Sequence, residues 1–312
     1  MDRKLTSVII SLVAVLVFFL LIVWVGGMIN PSLQLDETGV LRFAFVGIGL
    51  LIVFIVYLLT RQSQIWEVGT REVVYMAIGA ALYAVLSFLF NGTVFAVPSV
   101  SQVALRPAVA IPMFFGFAFG PSVGFFTGAV GNMFGDALTG FGLSPQWSVG
   151  NGLIGMVAGM ALLFKDRQKG INIVLVISFI LALLATAIFL LNRNVPNMMF
   201  FDPEAGIFGD ATISWFAGLS AIVGFLLVIA IRFMVGSGKN LEVTAAVAWS
   251  LLGNFVGIGF AAISDIWING YPPAVAIVGE FLPAAGPNSI FAAILVPLLV
   301  GAYAAVQRQT GR

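Results

Sequence analysis

Amide and carboxylate side chains recur with glycine at intervals of four residues in an otherwise apolar part of the chain. Gly124, Gly128, Asn132 and Asp136 follow this spacing, which places them along one face of a helix. Asn151 begins a second such series, with glycines four and eight residues further on. Amide and carboxylate groups on a glycine-lined face can bind a polar ligand, and they can equally form hydrogen bonds between helices.

A third pair of polar residues lies in the C-terminal part of the chain. Asn254 and Asp265 are eleven residues apart, close to three helical turns, and therefore share a face. Trp147 and Trp267 each adjoin one of the polar clusters, and an indole ring beside amides can stack on a planar ligand. Anchoring at a membrane surface is the alternative role for both tryptophans.

The composition places this polar minority in a membrane protein. Of 312 residues, 61% are hydrophobic and 9% are charged, and the mean hydropathy is +1.10, far outside the range of water-soluble domains. Histidine and cysteine are both absent, which excludes disulfides, imidazole or thiolate metal ligands, and Ser-His-Asp or Cys-His catalysis. The net charge of +1 does not indicate a nucleic-acid partner. We therefore predict no catalytic residue, no metal site and no bound cofactor.

The predicted fold class is an all-α polytopic bundle with about ten membrane spans. A bilayer core about 30 Å thick needs roughly 20 apolar helical residues. Gly120-Pro121 is interpreted as a turn between two short spans, because proline cannot continue a helix and the residue before it avoids the helical region. The spans are expected near residues 5–29, 40–60, 72–90, 106–119, 121–138, 147–164, 171–192, 211–235, 241–268 and 287–307.

The distribution of lysine and arginine orients the bundle, since cytoplasmic loops carry the excess of positive charge. With ten spans and a cytoplasmic N-terminus, 11 of the 14 basic residues fall inside, and Arg42, Arg106 and Arg193 fall outside. Both termini are then cytoplasmic in a multi-pass protein of the cell membrane, and the polar clusters lie in its outer half. The polar linker from Arg61 to Arg71 is the predicted domain boundary, between a two-helix transmembrane hairpin (residues 1–65) and the remaining transmembrane body (residues 66–312).

The similar depth of polar groups on three helices predicts a ligand pocket that is loaded from outside. Arg106, at the start of a short helix, is a further candidate for binding an anionic ligand group or a lipid phosphate, with simple membrane anchoring as the alternative. Glu280 and Asn288 are more weakly placed, and Asn288 can be only a helix cap. The candidate substrate-binding residues are Arg106, Asn132, Asp136, Trp147, Asn151, Asn254 and Asp265.

Three motifs follow one another between residues 71 and 164. An alanine-rich helix runs from Met76 to Ala84 with Ala-x-x-x-Ala spacing twice over. Leu105-Arg106-Pro107 then opens a short helix that ends in Gly120-Pro121-Ser122-Val123-Gly124. A glycine-rich helix to Gly135-Asp136 and a further helix with three spaced glycines complete the series. In order and spacing this stretch resembles the substrate-binding S components of energy-coupling factor (ECF) vitamin transporters, whose "GP..G" turn is similar to the one here.

The resemblance implies a protein that captures a vitamin or similar micronutrient outside the cell and is not an enzyme. It implies docking on a transmembrane T component driven by two cytoplasmic ATPases, since this chain has no Walker-type phosphate loop. The family's docking surface corresponds here to Ala77, Ala80, Ala81 and Ala84. Neutral amides and aromatic rings favour a heterocyclic substrate. S components usually have six helices, so the ten expected here add a hairpin before the S-component-like core and another within its C-terminal half.

Three other classes of protein are compatible with the same residues. A secondary transporter of another fold would use Asp136 and Asp265 to bind a coupling proton or sodium ion, although the inverted repeats that favour this class are not found. An intramembrane aspartyl peptidase usually has Gly-x-Gly-Asp, whereas this chain reads Met133-Phe134-Gly135-Asp136 and lacks the first glycine. A structural subunit of a larger membrane complex would account for the extra helices.

Overall fold

Ten helices of at least ten residues follow the apolar runs of the chain. The computed structural model describes residues 3–90, 99–100, 103–104, 106–139, 142–196, 201–202, 207–208, 212–234 and 241–310. Within these ranges the ten helices are α1 (Arg3–Ile29), α2 (Gly39–Thr60), α3 (Thr70–Leu89), α4 (Ala110–Phe119), α5 (Pro121–Thr139), α6 (Pro145–Gly159), α7 (Arg167–Leu191), α8 (Ser220–Met234), α9 (Leu241–Ile268) and α10 (Leu282–Gln309).

Short elements connect these helices. Single helical turns cover Trp215–Gly218 and Pro273–Val275, and a π-helical segment covers Ala276–Phe281. Four 3₁₀ turns lie at Pro31–Leu33, Gln64–Trp66, Pro107–Val109 and Met160–Leu163. Two antiparallel strand pairs join β1 (Ser99–Val100) to β2 (Val103–Ala104), and β3 (Phe201–Asp202) to β4 (Ile207–Phe208). These pairs fall between the predicted spans, in residues 91–105 and 193–210, most of which lie outside the described residues.

The prediction of a membrane helix bundle is confirmed. Six helical segments of the described chain are long and apolar enough to cross a bilayer, namely α1, α2, α3, α7, α9 and the continuous run Pro273–Gln309. The helices α4 and α8 are apolar but shorter. Each of the ten predicted runs overlaps one of these ten helices.

The last helical run begins earlier than the sequence analysis predicts. The chain is helical from Pro273, whereas the last predicted span begins only at residue 287. Pro283 follows the π-helical segment Ala276–Phe281 almost directly and so lies inside the continuous helical run. The π-helical turn before it changes the hydrogen-bond pattern without ending the helix. Proline therefore does not mark a loop at this position.

The predicted turn at Gly120-Pro121 is confirmed. The helix α4 ends at Phe119 and α5 begins at Pro121. Gly120 has φ +104°, a conformation that residues with a side chain rarely adopt. The turn reverses the chain so that α4 and α5 pack against each other and against α6.

Glycines bring the backbones of α5 and α6 into direct contact. A methyl group added at Gly128 would meet the backbone oxygen of Asn151, and one added at Gly155 would lie 2.5 Å from the carbonyl carbon of Gly124. The helix α9 approaches α6 in the same way, because a methyl group on Gly150 would lie 2.6 Å from the Gly257 oxygen. Glycines spaced by four residues permit this close packing, which places polar residues of three helices side by side.

The helices differ in how much of their surface is buried in the bundle. The helix α9 is buried along most of its length, whereas α7 and α8 carry many exposed apolar side chains. The N-terminal hairpin packs on the core, with the Phe18 ring 5.8 Å from that of Phe126 on α5. On α2, Gly49 lies against Val149 of α6.

Candidate functional site

A cavity of about 450 Å³ lies at one end of the bundle, where α2, α5, α6, α9 and the π-helical segment meet. This end contains all three helix regions in which the sequence places its polar clusters. Polar and aromatic side chains dominate the lining. They are Arg42, Arg106, Asp136, Thr139, Ser144, Gln146, Trp147, Asn151, Asp265, Asn269, Tyr271, Glu280 and Asn288.

One wall of the cavity is organised by an ion pair. Arg106 Nη1 lies 3.1 Å from Asp136 Oδ1 and donates to Asn132 Oδ1 at 2.8 Å. Asn132 Nδ2 donates to Asp136 Oδ2 at 2.9 Å and to Ser148 Oγ at 3.0 Å. Asn132 is fully buried and lies directly behind the cavity. The amide therefore holds both charged partners of the ion pair, which themselves reach the ligand space.

A tyrosine that the sequence analysis did not single out connects α3 to this wall. The Tyr83 hydroxyl donates to Asn151 Oδ1 at 2.8 Å and lies 3.4 Å from Asn132 Oδ1. Asn151 Nδ2 donates to the Trp147 backbone oxygen at 3.0 Å. The available signal was spacing, because Tyr83 lies four residues after Gly79 and so shares the face of this small residue, which packs on Thr127 of α5. Asn151 lines the cavity with its amide oriented by α3 and α6.

The opposite wall carries two acidic side chains. Asp265 accepts hydrogen bonds from Trp147 Nε1 at 2.7 Å and from Gln146 Nε2 at 3.1 Å. The Glu280 carboxyl group lies against that of Asp265. Gln146 Oε1 and Glu280 Oε2 are buried and have no hydrogen-bond partner in the described chain. Two acceptor atoms are thus left for a ligand.

Asn254 is buried behind the residues that line the cavity. Its Nδ2 donates to the Ala285 backbone oxygen at 2.6 Å and to Ser289 Oγ at 3.0 Å. Its Oδ1 accepts from Asn288 Nδ2 at 3.2 Å, and Asn288 does line the cavity. The structure thus gives Asn254 a role between α9 and α10, where it fixes a residue of the lining.

The remaining candidates separate into two groups. Arg106, Asp136, Trp147, Asn151 and Asp265 are brought together around the cavity. Trp267 is outside it, with 60% of its surface exposed and its ring 5.8 Å from that of Phe45. In the described part of the chain, no group of three His, Cys, Asp or Glu side chains is placed to hold a metal ion.

The four alanines of α3 do not share one surface. Ala77 and Ala81 are exposed, and exposed Ile78, Leu82 and Val85 surround them. Ala80 and Ala84 are each only 6% exposed. A methyl group on Gly131 of α5 would come within 2.8 Å of the Ala80 backbone oxygen.

The docking surface of four alanines stays a prediction. Its members differ in environment, because Ala77 and Ala81 are exposed, whereas Ala80 and Ala84 are buried where α3 packs on α5.

The fold and the cavity define a polytopic membrane protein with a partly enclosed site of small-molecule size. A profile described as "ECF-type riboflavin transporter, S component" matches residues 67–232. The chain belongs to this family, and it is accordingly a transporter subunit and not an enzyme. The resemblance inferred from the α3 to α6 motifs is confirmed.

Curated relatives agree with this assignment. A UPF0397 protein of Vibrio atlanticus is 29% identical over 180 residues, which are 55% of this chain and 97% of that protein. UPF0397 proteins of Aliivibrio salmonicida and Streptococcus pneumoniae are 32% and 31% identical over 102 residues, about a third of this chain. The match spans 54% and 52% of those two proteins. No solved structure matches the chain.

The cavity extends beyond the part of the chain that matches the family. Arg106, Asp136, Gln146, Trp147 and Asn151 lie within residues 67–232, but α2 and all of α9 and α10 lie outside. No described residue of α7 or α8 is among the lining residues. Half of the site is therefore built by segments that the family profile does not cover.

Proposed function

We propose that this chain is the substrate-capture subunit of an ECF-type importer and binds a vitamin or related small heterocyclic micronutrient in this cavity. The observation that carries the proposal is the cavity itself, whose polar lining comes from helices packed through glycine. Its volume of about 450 Å³ is within the range of small-molecule sites, roughly 300 to 1,000 Å³. The substrate-binding set is Arg106, Asp136, Trp147, Asn151 and Asp265, with Asn132 and Asn254 as supports.

The substrate enters from outside in this proposal. All ten helices cross the membrane, and both termini are cytoplasmic, as the distribution of basic residues predicts. The cavity then opens in the outer half, at the end that carries the predicted outside residues Arg42 and Arg106. Residues 1–65 form a hairpin domain added to the body formed by residues 66–312.

Energy for transport comes from partner proteins. The family assignment supports a transmembrane T component with two ATPases as partners, and the exposed Ala77 and Ala81 face supports docking through α3. Small residues allow another helix to approach closely. The membrane lipid covers this face when no partner is bound.

Two experiments test this function. Mass spectrometry of small molecules that co-purify with the detergent-solubilised protein should reveal a heterocyclic compound. Uptake of that compound by cells should require ATP and should persist when an ionophore removes ion gradients. Absence of any co-purified or bound small molecule would contradict substrate capture.

A secondary transporter remains the second candidate because Asp265 and Glu280 place two carboxyl groups side by side in the apolar bundle. Intramembrane carboxyl groups often carry coupling protons. Uptake that stops with the ionophore and continues without ATP would favour this candidate. Uptake unaffected by deleting the chain would instead indicate a structural subunit.

A further inference from the structure

We propose that the cavity selects a heterocyclic substrate that carries one positive charge, and that Asp265 and Glu280 bind this charge. The inference rests on the proposed function and specifies its substrate class. It assigns the selection to α9 and the π-helical segment, which lie outside the family match. A neutral flavin has no positive charge for these two acidic side chains to bind.

Acidic side chains outnumber basic ones in the lining. Asp136, Asp265 and Glu280 are acidic, whereas Arg42 and Arg106 are basic. Arg106 is paired with Asp136 at 3.1 Å. Asp265 and Glu280 lie beside each other, and this acidic pair is where a ligand with one positive charge would bind.

The acids Asp265 and Glu280 have no cationic partner at salt-bridge distance in the described part of the chain. Arg42 Nε donates to Thr38 Oγ1 at 2.8 Å and lies 3.9 Å from Asp36. Within the described chain, no basic side chain is at salt-bridge distance from Asp265 or Glu280. Buried carboxylates without a compensating charge are costly. A bound cation removes that cost, and an anionic ligand increases it.

Two residues of the lining each have a buried hydrogen-bond acceptor that is unused in the described part of the chain. Glu280 and Gln146 are 4% and 1% exposed, and each has one buried oxygen without a partner. Both residues line the cavity. The Trp147 indole, which donates to Asp265, also lines the cavity, and the face of an indole ring attracts cations. Acceptors beside an aromatic ring match a cationic heterocycle with N–H groups.

The test compares three probes on the purified full-length protein. Thiamine carries one positive charge, riboflavin is neutral, and flavin mononucleotide is an anionic phosphate ester. We expect thiamine to bind at least about tenfold more tightly than riboflavin, equivalent to ~1.4 kcal/mol, and we expect no binding of flavin mononucleotide. Calorimetry gives the three affinities.

Two variants that each replace a carboxyl group by an amide show which residue selects the charge of the ligand. Glu280→Gln keeps the shape of the side chain and should weaken thiamine binding at least about tenfold while riboflavin binding changes less than about threefold. Glu37→Gln removes an exposed acid outside the cavity and should leave all affinities unchanged. Melting temperature confirms that both variants fold.

The binding results distinguish failure of charge selection from failure of substrate capture. Tighter binding of riboflavin than of thiamine, or thiamine binding that is insensitive to Glu280→Gln, overturns the charge-selection inference and leaves substrate capture intact. If none of the three probes binds, the charge of the co-purified compound decides, because a neutral or anionic compound overturns the inference and a monocation supports it. Failure to bind or co-purify any small molecule overturns the proposed function itself.

Discussion

Two buried asparagines, Asn151 and Asn254, provide a matched test of the site. Both amides bridge helices, and they are 6% and 0% exposed. Asn151 lines the cavity, whereas Asn254 does not. Leucine is similar in size to asparagine but lacks the amide group, and leucine suits a membrane interior. The two variants should therefore separate binding from stability.

The expected effect of Asn151→Leu is a loss of affinity. The substitution removes a hydrogen-bonding group from the cavity wall, and a ligand group left without its partner costs about 1 to 3 kcal/mol. This cost corresponds to roughly 5- to 150-fold weaker binding. Folding should be affected less, because the Tyr83 hydroxyl still has Asn132 Oδ1 at 3.4 Å.

The expected effect of Asn254→Leu is a loss of stability. The Asn288 amide loses its acceptor at 3.2 Å, whereas the Ala285 oxygen keeps the Ser289 hydroxyl at 2.7 Å. One buried donor left unsatisfied costs about 1 to 3 kcal/mol of folding free energy. Affinity in the folded fraction should change less than about threefold.

Calorimetric affinity for the co-purified ligand and thermal unfolding, measured on the same samples, check both expectations. The reasoning is refuted if Asn151→Leu keeps full affinity, which would move the ligand away from this wall. It is equally refuted if Asn254→Leu loses affinity as strongly as Asn151→Leu without a loss of stability.

Three further predictions concern packing, docking and topology. Gly128→Ala should lower the melting temperature strongly because the added methyl group meets the Asn151 backbone, whereas Gly301→Ala, with open space around it, should not. Ala81→Trp should leave ligand binding intact and abolish ATP-dependent uptake, and surviving uptake would exclude docking through this face. Cysteines placed at Asn194 and Gln168, near opposite ends of the 25-residue helix α7, should react with impermeant reagents from opposite sides, and labelling of both from one side would disprove the ten-span topology.

Local sequence was sufficient to predict most of the helices and part of the site. Hydropathy located the apolar runs, and Gly120-Pro121 located the turn between α4 and α5 because this dipeptide restricts the backbone itself. Four-residue spacing placed Asn132 and Asp136 on one face, and the glycines beside them on a contact surface. The predicted start of the last helical run was wrong, because the chain is helical from Pro273 and a π-helical segment leads into the part that contains Pro283, a change of hydrogen-bond pattern that hydropathy does not reveal.

The sequence by itself determined that the chain is a membrane helix bundle with polar groups at similar depth, since composition and periodicity act within each helix. Only the tertiary structure decided which faces meet. Periodicity fixes a side chain relative to the axis of its own helix, but the rotation of that helix against its neighbours depends on packing with residues far away in the chain. That rotation buried Ala80 and Ala84, brought Tyr83 to Asn151, and moved Asn254 behind the lining. It also placed Asp265 and Glu280 together opposite Arg106, although more than 150 residues separate Arg106 from either of them.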